Sequence, residues 1–298
     1  MTPTDYTCCI CGKTPPADSP PELAAVRSNV RRFMHEQFPL WRCASCGSIH
    51  AGREVDLTEY YRYYPYFQQE LDAVLRWAYR RLTRRLRRVG LDRHHRVLDY
   101  GCGSGLLVTY LREKGYNAVG YDPYNENHGD ETALEQKYDL LIAQDVVEHS
   151  EDPLGVLQTL NSLCVPGGFI AIGTPNAAGI DLRRAEKYVH PLHQPYHRHI
   201  FSLPALRQAG ENLGWRLEKY YLAPYTNMPI LSLPFLHYYM RRFDGTMDVL
   251  FDRPLGSWRL WLSPETLFWL VLGYFLCDQA DVVAIFQTKG SQNVVGSQ

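Results

Sequence analysis

Apolar and polar positions along this chain repeat with two different periods, and the change from one to the other marks its elements. Val97 and Leu98 lead into Asp99 and then into glycine at positions 101, 103 and 105, after which Leu106, Leu107, Val108, Tyr110 and Leu111 recur at helical spacing. That pattern predicts a strand, a tight turn and a helix. Short apolar runs predict further strands at Asn117 to Asp122, from Tyr138 to Gln144, after Pro166, at Arg216 to Tyr221 and from Asp281 to Lys289. Between Leu71 and Val89 apolar residues fall at 71, 74, 75, 78, 82, 86 and 89, a helix with one buried stripe. Ser202 ahead of Pro204, with Gly214 closing the segment, predicts a second, capped helix.

Strands alternating with helices predict a doubly wound α/β sheet, and a glycine-rich first turn marks its nucleotide site. The three glycines remove β-carbons where the chain must bend and where a ligand can approach the backbone. The helix behind them offers free N–H groups. Asp122, about twenty residues on, stands where a carboxylate accepts ribose hydroxyls, with Pro123 after it. The spacing Gly-x-Gly-x-Gly is not the Gly-x-Gly-x-x-Gly of dinucleotide sites, because position 106 is Leu. No Gly-Lys-Ser/Thr is present, which excludes a P-loop. The plainer reading is a βα turn that binds nothing.

Composition adds a second domain. The 298 residues suffice for one α/β domain and a small appendage, and a net charge of −1 gives no global field for nucleic acid. The opening Met-Thr-Pro-Thr-Asp-Tyr lacks a basic and apolar leader, so a cytoplasmic location is expected. Eight cysteines then argue for thiols or metal ligands over disulfides. Cys8-Cys-Ile-Cys11-Gly12 and Cys43-Ala-Ser-Cys46-Gly47 form two knuckles, and four thiolates are what structural zinc prefers. Cys9 is the spacer. The alternative is a set of buried or redox cysteines. A Pro-rich loop from Pro15 to Pro21 precedes an expected short helix.

Val-Leu-Asp-Tyr-Gly-Cys-Gly-Ser-Gly (97–105), Val-Gly-Tyr-Asp (119–122), Tyr138 to His149 and Leu163 to Asn176 stand in one order over about eighty residues. This order resembles the class I S-adenosylmethionine-dependent methyltransferases. The resemblance implies a seven-stranded, Rossmann-like sheet with the donor held by Asp99, Gly101, Cys102, Gly103, Gly105, Asp122 and Pro123. Gln144 and Asp145 would lie beside the sulfonium. A zinc ribbon before such a core is similar to the nucleotide-sugar C-methyltransferases and related polysaccharide-cluster enzymes, where it is structural. The segment Val146-Val-Glu-His149 also resembles quinone O-methyltransferases, in which such acids and a histidine hold a divalent cation. The alternative is that Glu148 and His149 cap a helix and fix the loop. Only fifteen residues separate Asp122 from Tyr138, and no apolar strand precedes Asp130 and Glu131, so the sequence assigns no adenine contact.

Four of eleven histidines fall between His190 and His199. Methyl transfer from a sulfonium is an in-line displacement, so the protein must align the acceptor and take its proton, which imidazole does near neutral pH. Tyr196-His197-Arg198-His199-Ile-Phe-Ser is similar to the Tyr-His-Glu-His segment of the sugar C-methyltransferases, with arginine in place of glutamate. His199 is expected as the base, His197 next, with Tyr196 beside them. Arg198, which cannot be a base, His149 and Tyr64 are expected to bind substrate.

The expected organisation is a zinc ribbon over 1–56, a Tyr-rich linker with an Arg-rich helix over 57–95, the core over 96–289 and a disordered tail over 290–298. Tyr60, Tyr61, Tyr63, Tyr64 and Tyr66 either roof the substrate site or glue ribbon to core. Seven arginines between Arg76 and Arg88 face RNA, anionic lipid or a pyrophosphate, or only solvent. Residues 223–277 read as an insertion over the active site, including an apolar run from Thr266 to Cys277. Twelve residues are too few to span a bilayer, leaving a buried helix first, then a dimer face or an interfacial segment. The expectation is methyl transfer to a hydroxyl or activated carbon of a small or lipid-linked metabolite, sugars first, by a monomer or homodimer. RNA methylation and a non-catalytic cofactor-binding subunit are the alternatives.

Overall fold

A computed structural model describes residues 6–16, 18–64, 69–252 and 258–290. Tyr66 of the aromatic linker and residues 291–298 of the tail lie outside them. Strands β1 (Glu22–Arg27), β2 (Gln37–Arg42), β3 (Ile49–Ala51) and β8 (His199–Ile200) form a small antiparallel sheet in the order β1-β2-β3-β8. The large sheet runs β5-β4-β6-β7-β10-β9, built from β4 (Arg96–Tyr100), β5 (Asn117–Tyr121), β6 (Tyr138–Gln144), β7 (Cys164–Pro175), β9 (Arg216–Tyr221) and β10 (Asp281–Gln287). Its first four strands are parallel, and β10 is antiparallel to both β7 and β9.

Alternation along the strands explains the two covered faces. Leu98, Leu141 and Ala143 pack towards α4 (Pro153–Leu163) and α5 (Leu203–Asn212). Val97, Leu140 and Ile142 pack towards α2 (Ala73–Arg87) and α3 (Leu106–Glu113). Asp152, Asp72 and Ser202 cap their helices through side-chain oxygens, and Gly105 opens α3 at φ 71°.

Three expectations are corrected. The sheet has six strands among the described residues, not seven. The chain between β5 and β6 forms turns and a 3-10 helix, Glu131–Glu135, because it carries no apolar run to pair with the edge of β5. A strand, β1, follows the proline loop where a short helix was expected, since residues 22–27 pair along their whole length with β2; only Arg31–Phe33 is helical, as one 3-10 turn. The apolar run is not a buried helix. It forms α8 (Pro264–Leu272) and a 3-10 turn, Gly273–Leu276, with Leu267, Phe268, Val271, Leu272, Phe275 and Leu276 exposed. Only its Thr266 and Gly273 are buried, against α6 (Leu233–Arg241).

Candidate active site

The glycine turn is built as the sequence requires. Gly101, Gly103 and Gly105 have φ of 74°, 54° and 71°, the left-handed region that costs other residues most. A β-carbon at Gly101 would stand 2.5 Å from Val146 Cγ2, whereas one at Gly103 would meet nothing within 4 Å. The turn is therefore closed against the end of β6 and open on the side where a ligand can approach. Asp122 fixes it from the next strand: its Oδ2 accepts from the Gly103 amide at 2.8 Å and its Oδ1 from the Tyr124 amide at 2.8 Å. Asp99, four per cent exposed beneath the turn, is pushed up to about 8 by burial and then by the charge of Asp122.

A glycine cradle, a carboxylate on the adjacent strand and a buried donor without a partner make a donor set that fits S-adenosylmethionine. That donor is Gln144 Nε2, at the carboxyl end of β6, whose side chain lies over Gly173. Asp145 beside it holds φ 55°. Cys102 turns its sulfur towards Gly120 of β5, inside the cradle wall. The sequence did not single out His128, whose ring lies against Gly105.

Beyond Asp145 the structure gathers a second group. Glu148, His149 and His197 bring their ligand atoms within 4.8 Å of one another, with Glu148 and His197 buried and His149 half-buried. His149 Nδ1 lies 3.1 Å from the Tyr61 hydroxyl, and His197 Nδ1 lies 2.8 Å from the Pro191 carbonyl. The carbonyl accepts only, so His197 carries its proton on Nδ1 and presents a lone pair on Nε2. Burial holds both imidazoles neutral, His149 down to about 4. Glu148 Oε2 accepts from the Thr174 hydroxyl at 3.0 Å, while its buried Oε1 has no partner among the described residues. The backbone carbonyl of Glu148 accepts from the amides of Arg198 and His199, which is what brings β8 to this end of β6. His190, Asp281 and His193 extend the group; the Nε2 of His193 is also buried without a partner. One carboxylate and two imidazoles could hold a divalent cation, or an acceptor's polar groups.

The remaining candidates are placed as follows. Tyr196 is fully buried and donates its hydroxyl to the Tyr60 carbonyl at 2.8 Å, while the Tyr64 ring lies tilted against Tyr196 and His193, at centroid distances of 4.8 and 5.6 Å. Arg198 reaches Glu151 at 2.5 Å and the Val55 carbonyl at 3.1 Å, so its guanidinium is engaged away from the buried group. His199 lies apart from His197, with its Nδ1 3.0 Å from His50 Nδ1. His50 in turn sets its Nε2 3.2 Å from Cys8 Sγ under the ring of Trp41. Sequence reasoning missed His50 and Asp281, since only strand pairing of β3 with β8 and of β10 with β7 brings them in.

Cys8, Cys11, Cys43 and Cys46 also converge, with Sγ separations of 3.6 Å for Cys8 to Cys46 and 3.7 Å for Cys11 to Cys43. Sulfurs about 2.3 Å from a tetrahedral ion stand roughly 3.8 Å apart, so the four thiols fit zinc.

Residues 74–220, just under half of the chain, match the methyltransferase domain family. A ubiquinone biosynthesis O-methyltransferase of Leptothrix cholodnii is 29% identical over 104 residues, 27% of this chain and 44% of its own. One from Dinoroseobacter shibae is 31% identical over 102 residues, 27% of this chain and 41% of its own. The chain thus spans less than half the length of these curated relatives. Among solved structures, a SAM dependent methyltransferase from Archaeoglobus fulgidus is 17% identical, covering 77% of this chain and 99% of its own at a TM-score of 0.44. Over residues 74–220 the chain is therefore similar to methyltransferase domains.

Proposed function

We propose that this protein transfers a methyl group from S-adenosylmethionine to a hydroxyl or activated carbon of a small-molecule acceptor, with sugars the first class to test. The observation that carries the reading is the buried group of Glu148, His149 and His197 standing past Gln144 and Asp145 at the carboxyl ends of β6 and β7. Displacement at a sulfonium needs an acceptor lone pair in line and a place for its proton. His197 is the group we assign to take that proton: its Nε2 is unprotonated, held so by the Pro191 carbonyl, and faces His149 and Glu148. This revises the order expected from sequence, because His199 is directed to His50. Asp122 would hold the ribose and the glycine turn the rest of the donor, while zinc in the four thiols would be structural, with no coordination position left for chemistry.

The test is transfer of labelled methyl from the donor to a panel of nucleotide-linked sugars and phenols, with the wild type, His197→Asn and His199→Asn. His197→Asn should lose turnover by about a hundredfold or more with donor affinity nearly unchanged. His199→Asn should keep turnover within severalfold and lose thermal stability instead. Full turnover in His197→Asn, or loss confined to His199→Asn, overturns the assignment.

A further inference from the structure

The sequence leaves two features without a role, the arginine-rich helix and the apolar run near the C-terminus, and the structure sets them side by side. On α8 and the turn after it, Leu267, Phe268, Val271, Leu272, Phe275 and Leu276 recur at i, i+1, i+4, i+5, i+8 and i+9, one face of a helix. That face points outwards: Val271 is 62% exposed and Phe275 78%. The opposite side is spent on α6, where Trp269 and Leu270 pack with Phe235 and Tyr238. Six large apolar side chains exposed on one face form the kind of patch that marks an interaction site.

Its border is basic. The Arg81 guanidinium lies 5.6 Å over the Tyr274 ring and donates to the Tyr274 hydroxyl at 3.2 Å, which lays α2 along the patch. Trp77, Arg84 and the C-cap Arg88 share one stripe of α2 with Arg81, at i−4, i+3 and i+7. Arg80, Arg84, Arg87 and Arg88 are exposed and have no acidic partner among the described residues, whereas Arg76 pairs with Glu113 and Arg85 is buried over Tyr221. The acids of the run, Glu265 and Asp278, lie at its two ends.

We propose that this face seats the protein peripherally on an anionic bilayer. The apolar side chains would enter the boundary between headgroups and acyl chains, with Trp77 at the interface and the arginines on lipid phosphates. No helix is long and apolar enough to cross a membrane, so the contact would be one-sided. A second copy across a two-fold axis would bring two unpaired arginine stripes into one interface, and RNA would leave the apolar face wet.

Co-sedimentation of the full chain with phosphatidylcholine vesicles, with and without phosphatidylglycerol, tests this. Binding is expected to the anionic vesicles and to weaken with salt. It should fall on the order of a hundredfold in Arg84→Gln/Arg87→Gln/Arg88→Gln, from about fivefold per arginine, and comparably in Val271→Ser/Phe275→Ser/Leu276→Ser. All these positions are exposed, and unchanged circular dichroism and donor binding would show that the variants fold. The proposal is overturned if the wild type stays in the supernatant, or if either folded variant sediments like it. It is also overturned if light scattering finds a dimer that Phe275→Ser dissociates, or if Arg84→Gln/Arg87→Gln/Arg88→Gln loses salt-sensitive RNA affinity while vesicle binding persists.

Discussion

Replacing Gly101 by alanine tests the donor cradle through two separable costs. The first is conformational: at φ 74° a side chain costs about 1–2 kcal/mol relative to glycine. The second is steric, because the new β-carbon would stand 2.5 Å from Val146 Cγ2, and apolar carbons rest roughly 3.5–4 Å apart. Val146 must therefore retreat by about 1 Å. It follows Asp145, already held at φ 55°, and Gln144, whose unpartnered amide lies over Gly173, so the retreat is transmitted to residues expected to bind the donor. Calorimetric titration with S-adenosylhomocysteine should show Kd raised about tenfold or more, which is about 1.4 kcal/mol. Truncating the neighbour, in Gly101→Ala/Val146→Ala, removes the steric part and should recover affinity beyond what Val146→Ala alone predicts, a positive coupling in the double-mutant cycle. Wild-type affinity in Gly101→Ala, or strictly additive single changes, would refute the reasoning.

Stability of the donor-free protein should fall as pH rises from about 6.5 to 8.5. Asp99 and Asp281 are raised from 3.8 to about 8 and about 7, so the stability they contribute is complete below their unfolded values, falls steadily as pH rises above them, and loses its last part within this range as pH passes the folded values. The buried imidazoles act with the opposite sign, since His149, lowered from 6.5 to about 4, loses its contribution only on acidification, below this window. A loss on the order of 1–2 kcal/mol is expected, reduced in Asp99→Asn; a melting temperature constant or rising across that range contradicts it. For the cysteines, metal analysis should find one zinc per chain. Cys43→Ser or a strong chelator should lower that content and the melting temperature together, because the small sheet ends on β8 and holds His199 through His50. Full stability after metal removal would contradict the structural role.

The order of elements and the donor cradle were legible in the sequence because both rest on local rules. A glycine at φ 74° and an acid ending the next strand are read from their neighbours, and strand periodicity needs no knowledge of partners. The cysteine knuckles were legible for the same reason, their spacing being fixed by one ion. Even the missing strand could be read, since the stretch before Asp130 offers no apolar alternation.

What the sequence could not decide is which histidine goes where. His197 and His199 are two residues apart, and on extended chain both would be assigned to one side. Two long-range contacts separate them: the Glu148 carbonyl bonding the amides of Arg198 and His199, and the pairing of β8 with β3 that carries His199 to His50 and the cysteines. The apolar run likewise reads as core from its composition alone. Only the packing of Thr266, Trp269 and Gly273 on α6 fixes which side faces out, because burial depends on the partner a face finds.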